Sequence, residues 1–336
     1  MKIKNILPPS LKPGQAIAVI APSSPVSGVC KGETIKRGYD YLRERGYKII
    51  EGESVKRLSK KHTAGSVSMR VEEIHSFVKR TDVGCIMAFW GGYNCNQLLD
   101  KLDYKLIKQY PKIFIGFSDI TALTTAVTTK TGLVTFSGPS VISFAKPTPF
   151  QYTWDYFCKT CINPKDFCPI SDSLQYSDDA YYLRKDDNHR IKKHNKGMRI
   201  FKNGRAKGKI IVGNLQTLLL LNGTEYLGDF KNKILFLEED ESINIAYFDR
   251  CLVQCEQLGW FKKISGLVFG RFTEQTKITE SILLSLFKER FNQIDFPILY
   301  NADFGHSDPM FTIPNGGEVK INTAAKVKII FKKAVV

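Results

Sequence analysis

The chain has 336 residues, 43% of them hydrophobic, and 49 Lys and Arg against 33 Asp and Glu give it a formal net charge of +16. That length exceeds one comfortable hydrophobic core and predicts two α/β domains of ordinary size. No apolar run approaches the roughly 20 residues of a membrane span, and Met1-Lys-Ile-Lys-Asn-Ile-Leu-Pro-Pro9 lacks the apolar core of a signal peptide. The expected location is therefore the cytoplasm, with no membrane partner.

In the first half, short apolar runs alternate with helical patterns. Ala16–Ile20, Tyr47–Ile50, Gly84–Phe89, Lys112–Gly116 and Leu133–Phe136 read as strands. Between them, Glu33–Arg45 reads as a helix stopped by Gly46, followed by helices over Ser68–Lys79, Asn94–Ile107 and Asp119–Lys130, the last ending near Gly132. This βα rhythm predicts a mostly parallel, three-layer sheet with function at the carboxyl ends of its strands. From about Lys146 to Arg205 prolines accumulate and periodicity fades, which marks a connection. Beyond it come the strand Gly208–Val212, a helix from Asn214 to Leu221, the strand Lys233–Leu237, a helix over Ile245–Leu258, the strand Ser265–Gly270 and a helix over Thr279–Phe291. Glu318–Asn322 and Lys326–Phe331 read as a closing hairpin. The predicted organisation is an amino-terminal α/β domain over 1–150, a connection with an extended basic loop over 151–207, and a carboxyl-terminal α/β domain over 208–336.

Nine of the sixteen excess positive charges fall between Leu183 and Ile210, where eleven Lys or Arg meet only Asp186 and Asp187. Concentrated in one segment, this charge reads as a solvated loop or as a lid that attracts an anionic ligand; no nucleic-acid recognition module accompanies it. The eight cysteines are scattered through the chain, which favours reduced thiols. Cys158-Lys-Thr-Cys161 has C-x-x-C spacing, but Cys251 and Cys255 sit in an amphipathic helical pattern that burial explains, so neither a metal nor another cofactor is expected.

Three residues carry the chemical argument. Ser118 lies in Ile113-Phe-Ile-Gly-Phe-Ser-Asp119, where an apolar strand meets Gly116 and then a helix. A serine on such a tight turn is presented as a nucleophile, and the following amides can face an oxyanion. The match to G-x-S-x-G is partial, because no second glycine follows. Glu238 is delivered where the strand ending at Leu237 runs into Glu238-Glu-Asp-Glu241, and its position against the apolar strand favours partial shielding. His306, in Asp303-Phe-Gly-His-Ser-Asp-Pro309, stands on a constrained loop free to act as a base. A histidine taking the serine proton, a carboxylate fixing the imidazole and amides facing the oxyanion complete a hydrolase site. Gly91 and Gly92, after the strand ending in Phe89, can bring backbone N–H groups near substrate, and the amide of Asp119 is the second donor.

The chain resembles the LD-carboxypeptidase and microcin C immunity family of serine peptidases. The resemblance runs from near Leu11 to near Phe331, through Leu11-Lys-Pro-Gly-Gln-Ala-Ile-Ala-Val-Ile-Ala-Pro-Ser-Ser24, Ala88-Phe-Trp-Gly-Gly-Tyr93, Ile115-Gly-Phe-Ser-Asp119, Gly213-Asn-Leu215, Leu235-Phe-Leu-Glu-Glu239 and Phe304-Gly-His306. It implies a Ser-Glu-His triad at Ser118, Glu238 and His306 in an inter-domain cleft, a homodimer, and substrate contacts that include Asn214. Glu239 is the rival acid. The murein branch of the family releases terminal D-alanine from muropeptides, whereas the immunity branch cleaves peptidyl or aminoacyl nucleotides. The extended segment from Tyr176 to Arg205 resembles the longer loop of the immunity branch, with Tyr181 or Tyr182 where an aromatic residue stacks on the nucleobase. The expected partner is thus a small peptide or aminoacyl-nucleotide, with no nucleic acid; a non-catalytic protein binding anionic ligands is the competing class.

Overall fold

The computed structural model describes residues 4–58, 61–179 and 189–336. In chain order its elements begin with β1 (Ala16–Ile20), α1 (Gly32–Arg43), β2 (Lys48–Glu51), α2 (Glu53–Lys56), α3 (Val67–Lys79) and β3 (Val83–Ala88). They continue with α4 (Tyr104–Gln109), β4 (Ile113–Gly116), α5 (Ile120–Thr131), β5 (Thr135–Ser137), α6 (Val141–Phe144) and α7 (Gln151–Phe157). After these come β6 (Phe167–Ile170), β7 (Gln175–Tyr176), β8 (Lys193–His194), β9 (Arg199–Lys202), β10 (Arg205–Asn214) and α8 (Leu215–Leu220). The chain closes with β11 (Lys233–Glu238), α9 (Ile245–Gln257), β12 (Gly266–Gly270), α10 (Glu280–Phe291), β13 (Ile298–Ala302), β14 (Ile313–Asn315), β15 (Glu318–Asn322) and β16 (Ile329–Lys332).

The first sheet has the order β14-β5-β4-β3-β1-β2, with five parallel strands and β14 antiparallel at the edge. Its inner strands β1, β3 and β4 are buried on both faces, side chains alternating across the pleat into two cores. Ile17 and Val19 enter one core with Tyr39 and Leu42 of α1 and with Phe144, whereas Ala16, Ala18 and Ile20 enter another with Ile74 of α3 and Leu123 of α5. This is the three-layer arrangement expected from the alternating pattern. The second sheet has the order β6-β16-β15-β10-β11-β12-β13-β9, parallel from β10 to β13 and antiparallel toward both edges. Leu235, Leu237 and Phe269 face α9 and α10 on one side, and Phe236 and Val268 face Phe304, Phe311 and Phe331 on the other.

Several local expectations change. The predicted helix over Asn94–Ile107 is two pieces, a 3-10 turn over Cys95–Leu98 and then α4. The break is chemical: Asp103 accepts the Leu106 N–H at 2.9 Å and starts a new helix as its N-cap. Gly208–Val212 proves to be the middle of the ten-residue β10. The faded region contains α7, a π-helical turn over Cys158–Ile162, and edge strands for the second sheet. Two carboxyl-terminal stretches return to the first sheet's side: β14 pairs with β5, and Ala334 and Val335 enter the core beside α1, fixed where Ser10 N–H donates to Val336 O at 2.7 Å. No disulfide joins any of the eight cysteines, and among the described residues no helix is long and apolar enough to cross a membrane.

Candidate active site

β4 ends at Gly116 and α5 begins at Ile120, so only three residues make the turn between them. A side chain on Gly116 would meet Ile120 Cγ2 at 2.9 Å and Ala88 Cβ at 3.1 Å, which explains the glycine. Ser118 lies in this turn at φ +63°, a left-handed conformation that costs a non-glycine residue about 1 kcal/mol. Strain of this kind persists where surrounding contacts fix it. Here Thr121 N–H donates to Ser118 O at 3.0 Å. Beneath the turn, buried Asp119 accepts from Ser23 Oγ at 2.5 Å and from Cys95 N–H at 2.8 Å through one carboxylate oxygen. Burial pushes the Asp119 carboxyl up from its ordinary value, against those hydrogen bonds and nearby Arg70. Half-buried Ser118 has no hydrogen-bond partner for its hydroxyl among the described residues, so Oγ is available to a reactant.

Gly91 packs directly against Ser118. A Cβ there would lie 2.9 Å from Ser118 Oγ and 3.2 Å from Asp119 N, so the absence of a side chain opens the space beside both atoms. Gly92, at φ +146°, packs on the loop below, where a Cβ would fall 2.2 Å from Ser24 Oγ.

Glu238 is the last residue of β11, and His306 follows β13 by a short loop. His306 Nδ1 and Glu238 Oε2 are 2.6 Å apart, with side chains 11% and 1% exposed. Glycine makes this approach possible: a Cβ on Gly305, at φ +97°, would meet Glu238 Cβ at 2.7 Å. Burial disfavours the imidazolium, but the charge and hydrogen bond of Glu238, with Asp240 and Glu241, outweigh it and raise His306 to about 9. The imidazole lies edge-on to Phe117, centroids 5.1 Å apart, and so borders the residue that precedes Ser118.

Glu239 takes a different place. It is buried, and its Oε2 accepts from Gln216 Nε2 at 2.9 Å and Asn214 Nδ2 at 3.2 Å. Burial chiefly, with repulsion from Glu238 and Asp240, raises its carboxyl to about 8 against the Gln216 hydrogen bond. Asn214 is equally committed. Its Oδ1 caps α8 through Thr217 N–H, its Nδ2 serves Glu239, and its backbone N–H donates to Thr121 Oγ1 at 3.0 Å. It therefore braces Glu239 and Thr121.

Tyr181 and Tyr182 lie outside the described residues. Two cations of the described part of the basic segment, Arg190 and Lys193, are held by carboxylates. Arg190 binds Asp179 at 2.8 Å and Asp308 at 2.9 Å, Lys146 also binds Asp308, and Lys193 binds Asp178 and Glu274 at 2.8 and 2.7 Å. These groups close a crevice of about 20 Å³ beside His306, room for one water-sized group. Across Asp178 and Thr273 lies a larger cavity of about 300 Å³, floored by Arg271 and Tyr300. Among the described residues no cluster of His, Cys, Asp and Glu could hold a metal ion.

Sequence reasoning passed over three supports. Ser23 bonds Asp119; Arg70, 1% exposed, donates to Pro22 O at 2.6 Å and Gln97 Oε1 at 2.9 Å; and Thr121 receives Asn214. Arg70 did leave a signal, since it falls four residues before Ile74 on the apolar stripe of α3, where a cation must find internal partners.

Residues 17–138 match the model of the LD-carboxypeptidase N-terminal domain, and residues 207–321 match that of the LD-carboxypeptidase C-terminal domain. A Bacillus subtilis (strain 168) protein with a carboxypeptidase name, YocD, is 34% identical over 311 residues, covering 93% of this chain and 94% of its own. The crystal structure of an MccF-like protein from Bacillus anthracis str. Ames superposes with a TM-score of 0.91 at 37% identity, covering 98% and 99% of the two chains. The microcin C7 self-immunity protein MccF of Escherichia coli is 29% identical over 94% of this chain and 93% of its own. Its structure in complex with glutamyl sulfamoyl guanosine superposes with a TM-score of 0.90, covering 98% and 99% of the two chains. Full-length similarity across both domains makes this chain a member of the LD-carboxypeptidase family, a serine-type carboxypeptidase.

Proposed function

We propose that the enzyme hydrolyses peptidyl- or aminoacyl-nucleotide compounds of the sulfamoyl adenylate kind, with Ser118 as nucleophile, His306 as base and Glu238 as the residue that orients His306. The observation that carries the chemistry is the strained Ser118 turn, with an unengaged hydroxyl, whose neighbour Phe117 packs edge-on against a histidine bonded to a buried carboxylate. His306 accepts the Ser118 proton as Oγ attacks the scissile carbonyl, and Glu238 balances the charge gained by the ring. The N–H groups of Gly91 and Asp119 are the candidate donors to the oxyanion. The leaving group departs with the proton from His306, and water then hydrolyses the acyl-enzyme by the same base. MccF, bound to glutamyl sulfamoyl guanosine in its own structure, supports this substrate class through similarity over nearly the whole chain.

The competing substrate is an L,D-linked murein tetrapeptide losing its terminal D-alanine. Parallel assays with an aminoacyl sulfamoyl adenylate and that tetrapeptide decide between them. The first is expected to be cleaved with the higher kcat/KM, and faster tetrapeptide turnover moves the enzyme to the murein branch. Ser118→Ala is expected to lose at least about three orders of magnitude in turnover while staying folded; undiminished hydrolysis refutes Ser118 as the nucleophile. We extend the reading to a cytoplasmic homodimer, which the family resemblance implies and which sedimentation at micromolar concentration tests.

A further inference from the structure

We propose that Thr121 is a positioning residue whose hydroxyl latches the nucleophile's helix to the strand beside the acid, and so sets the separation between Ser118 and the Glu238–His306 pair. The inference rests on the catalytic reading above.

The first sheet carries Ser118 and the second carries Glu238 and His306, so no single element fixes their separation. Beside the edge-on contact of Phe117 with His306, a hydrogen-bonded link runs between the two halves of the site. Thr121 N–H donates to Ser118 O at 3.0 Å, which ties it to the nucleophile turn. Its Oγ1 accepts the Asn214 N–H at 3.0 Å, and Thr121 is only 2% exposed. Asn214 lies in register opposite Glu238 in the β10–β11 ladder, and Glu238 holds His306 at 2.6 Å. The path from nucleophile to base therefore consists of short, buried hydrogen bonds and one strand pairing.

Gly213 shows how closely the parts meet. A Cβ at that position would lie 2.1 Å from Thr121 Cγ2 and 2.7 Å from Oγ1, so only glycine lets the end of β10 approach α5. The methyl group of Thr121 fills this approach and its hydroxyl supplies a buried acceptor to Asn214 N–H. A buried N–H deprived of its acceptor shifts toward another partner or toward water. Reacting groups lose much of their rate advantage when displaced by about 1 Å.

The test compares Thr121→Val, which keeps the shape and removes the acceptor, with Thr121→Ser, which keeps the acceptor and removes the methyl. With the aminoacyl sulfamoyl adenylate as substrate, Thr121→Val is expected to lower kcat roughly 10- to 100-fold while KM stays within about twofold. Its pH profile should keep the wild-type apparent pKa, because the Glu238–His306 pair is untouched, and Thr121→Ser should stay within about threefold of wild type. A folded Thr121→Val with kcat within about twofold of wild type overturns the proposal, as does a Thr121→Ser variant that falls equally far. If Thr121→Val does not fold, Thr121→Ala takes its place under the same criteria. A wild-type enzyme that cleaves neither test compound refutes the reading of the site and the latch with it, whereas an active wild type beside an equally active Thr121→Val refutes the latch alone.

Discussion

Gly91 and Ser118 are in contact across the mouth of the site, and a Cβ on Gly91 would lie 2.8 Å from Ser118 Cβ. A methyl group there must displace either Ser118 or the loop that follows β3. The turn beneath is pinned by Asp119 and cannot yield without breaking two buried hydrogen bonds. Gly91→Ala is therefore expected to reduce kcat/KM by about 100-fold or more with the far-ultraviolet circular dichroism unchanged. Activity within fivefold of wild type, roughly 1 kcal/mol in barrier, contradicts this account of the oxyanion space.

The left-handed backbone of Ser118 makes a prediction about stability separate from chemistry. Alanine at this position keeps the backbone cost, whereas glycine adopts φ +63° without it. Both Ser118→Ala and Ser118→Gly should be inactive, but the glycine variant should be more stable than the alanine variant by about 1 kcal/mol. Urea unfolding of the two proteins measures the difference. Equal midpoints would show that the turn carries no strain.

His306 and Glu239 give the enzyme a defined response to pH. His306 is raised to about 9, so the neutral base grows in as pH increases, and the acidic limb of kcat/KM should lie well above the ordinary histidine value. Glu238→Gln removes the charge that raises it. The limb should then move to lower pH, with turnover reduced. A limb at the same pH in both proteins assigns it to another group.

The same shifts set a stability profile. A raised His306 contributes stability that is fully present below its unfolded value near 6.5 and is lost as pH rises through about 9. Glu239, raised to about 8, holds its proton when folded, and its contribution fades as pH rises from about 4.5 through about 8. Glu239→Gln should keep the Asn214 and Gln216 contacts, retain turnover, and flatten the fall in stability over that interval. Chemical unfolding of both proteins at pH 5, 6.5 and 8 checks this, and an unchanged slope in Glu239→Gln would mean that Glu239 is already charged in the folded protein over that interval.

Asp119 offers a check on the scaffold. Its Oδ2 receives both Ser23 Oγ and Cys95 N–H, so Asp119→Asn can present its amide oxygen in the same place and should retain most activity. Asp119→Ala loses the acceptor altogether and should cost about 2–4 kcal/mol in stability. Thermal unfolding of the two variants measures the contrast, and an alanine variant as stable as the asparagine variant removes Asp119 from the support of the turn.

Much of this architecture was readable residue by residue. The apolar runs of β1, β3, β4 and β11 and the helical stripes of α1, α3 and α9 are local patterns, and local patterns survive folding when burial agrees with them. The break before α4 was harder, since Asp103 sits inside an otherwise continuous periodicity and acts only through its side-chain cap. β14 was invisible for another reason: its three residues include a proline, and their partners in β5 lie far back along the chain. Arg70 and Thr121 gave similarly little away, because their importance lies in distant acceptors and donors.

By itself the sequence determined the chemical candidates, a serine, a histidine and an acid each placed where a strand runs out, because strand ends are set by short-range patterning. Only the tertiary structure decided which of two adjacent carboxylates meets His306. Neighbouring side chains at a strand end point to different sides, so Glu238 reaches the imidazole while Glu239 is held by Asn214 and Gln216. That choice depends on β13 and the loop after it bringing His306 to the end of β11 from far along the chain, and no local run of residues encodes it.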